Sequence, residues 1–216
     1  MQINAHNTLM LDAKAPQSLG SHLSTAADKQ YIKRAFDIFF STLALITLSP
    51  LFLIIFIAQK LTSKEPAFFL QERIGLGGKP FFIYKFRSMR EDAEENGPQL
   101  TNEKEANKYT RIGHFLRRHH LDELPQLWNV LKGDMSFVGY RPERQFFIDQ
   151  ILENDPRYVQ LYRMRPGITS EAAIYNGYTD TMEKMLLRLE MDLKYLEKSS
   201  LTTDITILIK TLCVIF

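Results

Sequence analysis

RRHHLDELPQLWNVLKGDMSFVGYRPER, residues 117–144, sets two adjacent carboxylates, Asp122 and Glu123, between a basic, histidine-rich run and a segment ending in Arg141, Pro142 and Glu143. Leu124, Leu127, Trp128 and Leu131 recur at helical spacing and predict a short helix with one buried face. Asp122 is placed to cap that helix, which would start near Glu123. Pro125 then falls in the first turn, where a missing N–H costs little, and Lys132-Gly133 ends it. Carboxylates at a fixed helix start, beside exposed backbone N–H groups, suit a nucleophilic or metal-assisted role. They also suit an ordinary N-cap with an acidic first turn, which spacing alone favours.

Toward the N-terminus, residues 38–58 (IFFSTLALITLSPLFLIIFIA) carry no charge. As one helix they would reach about 31 Å, enough for a bilayer core. A straight span is opposed by Ser49-Pro50, because proline cannot donate to the carbonyl four residues back and clashes with it. Basic residues also flank both ends: Lys29, Lys33 and Arg34 before, Lys60 and Lys64 after. A hairpin-like re-entrant helix keeps both flanks on one side. A buried core helix of a soluble protein is the third reading.

The rest of the composition excludes more than it identifies. The chain has 216 residues, suited to one domain, with 27 basic and 25 acidic side chains and a net charge of +2. Aromatic and basic residues alternate near 79–87, but so small a charge, beside the apolar run, gives no nucleic-acid signature. The single cysteine, Cys213, excludes an internal disulfide and a cysteine metal site. His119 and His120 lack zinc spacing and read as structural or surface residues. Residues 1–28 are polar, without the apolar run of a signal peptide, and read as a loosely held tail.

Two aromatic runs, 67–71 and 80–86, surround Gly75, Gly77 and Gly78 and predict two short strands joined by a turn. Lys85 and Arg87 alternate out of the second strand and can face one anionic ligand; a solvated strand edge is the plain alternative. Residues 90–108 read as a short helix followed by a loop. Residues 144–153 form a helix stopped before Asp155-Pro156. Residues 181–197 are amphipathic, with Met185, Leu189 and Leu193 on the apolar face and Asp192 on the charged, wet face. Residues 201–216, interrupted by Asp204 and Lys210, are too short and too charged to span, and suit the membrane interface or the soluble core.

Several of these stretches together resemble the bacterial initiating sugar transferases, the monotopic polyprenyl-phosphate phosphoglycosyl transferases. The resemblance rests on Asp122-Glu123-Leu124-Pro125-Gln126-Leu127, the run from Asn129 to Gly133, Met135-Ser136 and Gly139-Tyr140-Arg141-Pro142. Lys33-Arg34-Ala35-Phe36-Asp37, Gln71-Glu72-Arg73-Ile74-Gly75, Tyr84-Lys85-Phe86-Arg87-Ser88-Met89, Thr110-Arg111-Ile112-Gly113 and Arg163-Met164-Arg165-Pro166-Gly167-Ile168-Thr169 extend it. Two departures stand out. Tyr140 replaces the usual proline, and Ser170-Glu171-Ala172-Ala173 replaces the common Gly-Trp-Ala-Gln continuation.

The resemblance implies an α/β fold, mostly α with short strands. A small compact cytosolic domain (61–216) would be anchored by a re-entrant helix (29–60) broken at Ser49-Pro50, with amphipathic C-terminal interface helices. Asp37 would be a polar anchor at the membrane interface. The implied activity transfers a sugar phosphate from a nucleotide diphosphate sugar, usually UDP-linked, to polyprenyl (undecaprenyl) phosphate at the cytoplasmic face of the bacterial inner membrane. It would be an early membrane step of exopolysaccharide, lipopolysaccharide or capsule assembly. Asp122 would be the nucleophile and Glu123 the contact to Mg²⁺. Lys85, Arg117 and Arg141 are candidate phosphate clamps, with Arg87 a lesser one, because guanidinium groups bind phosphate in a bidentate manner. Asp192 matches a family acid near the site. A metal-dependent phosphohydrolase and a non-catalytic membrane scaffold are the competing readings. A homodimer stays open, with no heptad to argue for it.

Overall fold

Pro50 bends the apolar run as its chemistry requires. The computed structural model describes residues 17–94, 108–177 and 179–215. In it, helix α1 (Gln17–Thr47) and helix α2 (Ser49–Thr62) meet at 58° around Leu48. Pro50 cannot donate to the carbonyl of Ile46, and the Ser49 hydroxyl takes that acceptor instead, at 2.8 Å. Among the described residues no single helix is long and apolar enough to cross a membrane, but this bent pair passes by length and composition. Helix α1 starts within the stretch expected to be a tail; residues 1–16 lie outside the described residues.

The reading of 38–58 as a soluble core helix does not hold. Phe39 is 62% exposed, Ile46 66%, Ile54 64% and Leu61 82%, an apolar surface on both arms of the bend.

Strands β1 (Phe68–Ile74) and β2 (Pro80–Phe86) pair antiparallel across the glycine turn, with Phe68 opposite Phe86 and Gln71 opposite Ile83. A 3₁₀ turn, Glu91–Glu94, stands where a short helix was expected, and the loop expected beyond it lies outside the described residues. Helices α3 (Gly113–Arg118) and α4 (Gln126–Lys132) follow. Gly133 closes α4 at φ +96°, a backbone state that costs glycine little.

Strand β3 (Ser136–Val138) pairs in parallel with β4 (Gly167–Thr169). The two chains come so close that a Cβ on Gly167 would lie 2.1 Å from the Gly139 nitrogen. Helix α5 (Gln145–Asn154) stops at Asp155-Pro156 as expected. Helices α6 (Glu171–Tyr175), α7 (Met182–Lys198) and α8 (Leu201–Ile215) complete a small, mostly helical domain with, among the described residues, two two-stranded sheets.

Two clusters matter for the site. The larger gathers Ile74, Tyr140, Ile148, Leu161 and Leu189 from β1, the β3 exit, α5, the 3₁₀ segment Pro156–Arg163 and α7. Tyr140 therefore acts as a core residue, fully buried, where a turn-forming proline was the family expectation. The smaller joins Ile55 of α2 to Phe86 and Leu116, with Leu51, Phe52, Leu121 and Leu124 packed on it.

Residues 33–37 fasten α1 to this body. The Asp37 carboxylate accepts from the Ser136 hydroxyl and the Phe137 amide, both at 3.1 Å. Arg34 donates to the carbonyls of Val130 and Leu131 at 2.6 and 2.7 Å, satisfying the open end of α4. Lys33 donates to the Val138 carbonyl at 3.0 Å and pairs with Asp204 of α8, which also accepts from Tyr195. Asp37 is thus an internal staple and not a headgroup anchor, because its acceptors are needed inside the protein. At the other arm, the Gln59 side-chain amide donates to the Arg87 carbonyl at 2.8 Å.

Candidate active site

Asp122 and Glu123 lie in a 3₁₀ turn, Leu121–Glu123, and not at the start of α4. Helix α4 begins after Pro125, which occupies the N-cap position with no side-chain cap. Asp122 is therefore no helix cap. Its buried face also differs from the leucine stripe: Gln126, Leu127, Asn129 and Val130 point inward, while Trp128 is half exposed. The chain reaches the turn through His120, a left-handed non-glycine residue at φ +53°. That conformation costs about 1–3 kcal/mol and marks a held geometry. His119 and His120 are both exposed, as read from the sequence.

The turn is buried from two sides. Leu121 and Leu124 pack on the Ile55–Phe86–Leu116 cluster, so the carboxylates sit directly beside the second arm of the bent apolar pair. Lys85 extends from β2 and places its Nζ 2.6 Å from Oε1 of Glu123. Arg141 brings Nη2 to the same oxygen, at 3.4 Å. Asn129 holds β2 in place: its side-chain oxygen accepts from the Tyr84 amide at 3.0 Å and its amide donates to the Phe82 carbonyl at 2.7 Å.

These surroundings push the two carboxylates apart. Burial works to raise the Glu123 pKa, but the charges of Lys85 and Arg141 outweigh it and hold the group well below the usual carboxylate range. Asp122 moves up, through its own burial and the neighbouring Glu123 charge, partly offset by Lys85 and Arg117. Adjacent acids with opposed shifts are a common arrangement for divided roles. Glu123 stays an anion fixed to two cations. Asp122 is the more basic carboxylate of the pair.

Lys85, Arg117, Arg141, Asp122 and Glu123 are thus brought together, and Arg87 is not. Its Nε donates to the Pro66 carbonyl at 2.9 Å and its guanidinium lies over the Phe69 ring at 5.6 Å. Lys85 and Arg87 share a strand direction, but the hairpin ends at Phe86 and Arg87 turns back toward β1. Asp192 is also misplaced by the sequence reading. It is buried on the inner side of α7 and lines a small cavity with Arg141, Glu143, Tyr158 and Arg188. Burial pushes its carboxyl up to about 8, Arg188 pulling it down and Glu143 up.

Behind Arg141, Glu143 receives Arg73 on one oxygen and Arg188 on the other, each at 3.2 Å. Asn129, Arg73 and Glu143 stood in the quoted motifs without an assigned role, and Arg188 was not singled out from the sequence. Two signals were present. Asparagine is a poor resident of a helix interior, and Arg188 with Asp192 falls at i, i+4 on the apolar stripe of Met185 and Leu189.

The profile of the family described as Bacterial sugar transferase matches residues 28–216. The chain is 40% identical over 182 residues to the UDP-N-acetylgalactosamine-undecaprenyl-phosphate N-acetylgalactosaminephosphotransferase of Aeromonas hydrophila, covering 84% of this chain and 43% of that protein. It is 43% identical over 183 residues to the UDP-glucose:undecaprenyl-phosphate glucose-1-phosphate transferase of Escherichia coli K12, covering 83% and 39%. The exopolysaccharide production protein PSS of Rhizobium leguminosarum is 39% identical over 188 residues, covering 83% of this chain and 92% of that one. The chain spans less than half the length of the first two relatives. With the profile running from the bent helix through α8, the chain belongs to the bacterial sugar transferase family.

Proposed function

We propose that the chain transfers a sugar phosphate from a UDP-sugar to polyprenyl phosphate, releasing UMP, through a covalent intermediate on Asp122. The observation that carries this reading is the buried Asp122 beside a half-buried Glu123, with Lys85, Arg117 and Arg141 around them on a turn packed against α2. A polyanionic, water-soluble donor needs such cations. A lipid-borne acceptor needs a site at the level of an apolar helix.

In the first step an Asp122 oxygen bonds to the sugar-side phosphorus. The anhydride P–O bond breaks, and its electron pair leaves with UMP. In the second, a phosphate oxygen of polyprenyl phosphate attacks the same phosphorus, and the Asp122–phosphorus bond breaks to restore the carboxylate. One hard encounter becomes two easier ones. Lys85 and Arg141 draw the transferred phosphate toward Glu123, and Arg117 offsets charge beside Asp122.

Among the described residues no cluster of three acids or histidines gathers as a metal cage. The donor set still fits Mg²⁺, which commonly takes one or two carboxylates plus substrate phosphates. Glu123, held by Lys85 and Arg141, would hold the ion together with the substrate phosphates. When bound, Mg²⁺ neutralises phosphate charge and polarises the phosphoryl oxygens.

On this reading the bent pair is a re-entrant helix of the cytoplasmic leaflet, and α8 lies near the interface; the exposed Ile205, Ile209 and Leu212 support the latter. Single cysteines before Lys33 and after Lys64, in a Cys213→Ser background, will both react with thiol reagents from the cytosolic side only. Labelling from opposite sides overturns the re-entrant placement.

The relatives' names carry different sugars, so the donor is sought with a panel of UDP-sugars and undecaprenyl phosphate, following UMP release. With the right donor and Mg²⁺ but no lipid, the protein will gain the mass of one sugar phosphate, mapped to Asp122. Asp122→Asn will not gain it. Donor consumption without lipid and without an adduct would favour a hydrolase, and no consumption at all a scaffold.

A further inference from the structure

Two residues beyond Arg141, the Glu143 carboxylate takes two further arginines. Arg73 Nη1 meets its Oε2 and Arg188 Nη1 its Oε1, each at 3.2 Å. The Arg188 side chain is 9% exposed, whereas that of Arg141 is 39% exposed and opens outward. Arg73 Nη1 also donates to the Pro142 carbonyl at 3.0 Å, and the Glu143 carbonyl accepts from the Ile74 amide at 3.1 Å. Arg188 Nη2 reaches the Gly177 carbonyl at 3.3 Å. Residues 140–144 form neither helix nor strand, so side chains from β1 and α7 hold the backbone that carries Arg141. Stability does not account for this cluster. Pairing a buried charge often only balances its desolvation, and the Nε atoms of Arg73 and Arg188 are buried without a hydrogen-bond partner among the described residues. Arg141 adds its own positive charge beside both.

We propose that Glu143 is a positioning residue, which holds Arg73 and Arg188 so that Arg141 is presented to Glu123 and to the phosphate being transferred. The inference rests on the transferase reading above. Each Glu143 oxygen fixes one rear arginine, and both arginines act on the chain next to Arg141. The gap left between Arg141, Glu143, Arg188 and Asp192 is only about 10 Å³, no more than one water, so these groups set one another's places by close contact. Arg141 itself touches Glu123 at 3.4 Å, a loose contact that leaves its donors for a phosphate. Glutamine at 143 keeps the shape, but it offers one acceptor and turns an N–H donor toward the second arginine. Three like charges are then left without their central anion, and the turn that carries Arg141 loses part of its tie to β1 or α7.

A double-mutant cycle on the full chain in lipid nanodiscs tests this, with UMP release from the UDP-sugar and undecaprenyl phosphate as the readout, well below each variant's melting temperature. Glu143→Gln will lower kcat/KM for the UDP-sugar about thirtyfold, within the roughly hundredfold that a misplaced group can cost. In an Arg141→Gln background the same change will cost less than about twofold, because nothing is left to position. Arg188→Gln will behave in the same way in both backgrounds, and it carries the cycle if Glu143→Gln does not fold. A Glu143 that only holds the fold together will cost the same factor with and without Arg141, and that result overturns the assignment while the transferase reading stands. A loss of less than about threefold in the otherwise wild-type chain overturns it too. If wild type releases no UMP from any UDP-sugar in the presence of undecaprenyl phosphate, the transferase reading falls and this inference with it.

Discussion

Lys85 Nζ stands 2.6 Å from Oε1 of Glu123, joining the open end of a β-hairpin to a turn that the sequence places 38 residues away. This contact, with Arg141 on the same oxygen, keeps Glu123 ionised in a half-buried place. Lys85→Met removes one of the two cations, so the Glu123 pKa rises. The acidic limb of kcat/KM will move to higher pH, and turnover will fall about a hundredfold, as expected for one lost electrostatic contact to a transferring phosphate. An unmoved limb with less than threefold loss would show that Lys85 does not set the state of Glu123.

Asp37 is a structural staple between α1 and β3. Asp37→Ala strands the Ser136 hydroxyl and the Phe137 amide in a buried place and will cost about 3 kcal/mol, read as a lower melting temperature in detergent. Asp37→Asn retains an acceptor and will lose about 1 kcal/mol. Equal melting of Asp37→Ala and wild type would contradict the staple.

The Tyr140 hydroxyl is buried without a hydrogen-bond partner among the described residues. Tyr140→Phe will match wild type or gain up to about 1 kcal/mol, since it removes a buried polar group with nothing to bond. Tyr140→Pro, the residue usual in the family, will lose about 3–5 kcal/mol by emptying the ring's place in the core. Chemical denaturation separates the two outcomes, and a stable proline variant would deny Tyr140 its core role.

Asp192 gives the fold a pH dependence of known sign. Its carboxyl titrates near 8 in the folded chain and near 3.8 as an ordinary aspartate. Between those values the folded form holds the extra proton, so stability falls as pH rises, by at most about 1.4 kcal/mol per pH unit. Asp192→Asn does not titrate. Melting temperatures from pH 5 to 8 will slope less steeply in the variant, which will gain on wild type up to about pH 8 and then run parallel to it. Parallel slopes below pH 8 would mean that Asp192 is ionised throughout.

The local signals were strong where chemistry is local. Pro50 bends its helix because of its own ring, Gly133 closes α4 because it tolerates positive φ, and the aromatic runs around Gly75–Gly78 pair because a turn joins them. The Asp122–Glu123 pair, Lys85, Arg117 and Arg141 were all legible as candidates. Their motif, and nothing in their periodicity, carried the resemblance.

Tertiary structure decided what periodicity cannot reach. The leucine spacing after Asp122 read as a helix start, but a left-handed His120 and the proline at 125 delay α4 and free Asp122 from capping. Arg87 shares a strand direction with Lys85, yet the end of the hairpin sends it to Pro66 and Phe69. Asp37 looked like a membrane-surface anchor because its partners, Ser136 and Phe137, are about a hundred residues away. Asp192 fell on the charged face of an amphipathic pattern, and only the approach of Arg188 and Glu143 made a buried place for it. The sequence by itself determined where the chain bends, turns and carries charge, since those follow from single residues and their near neighbours. Which charges meet, and which are buried, depended on long-range contacts whose energy appears only when the chain has closed on itself.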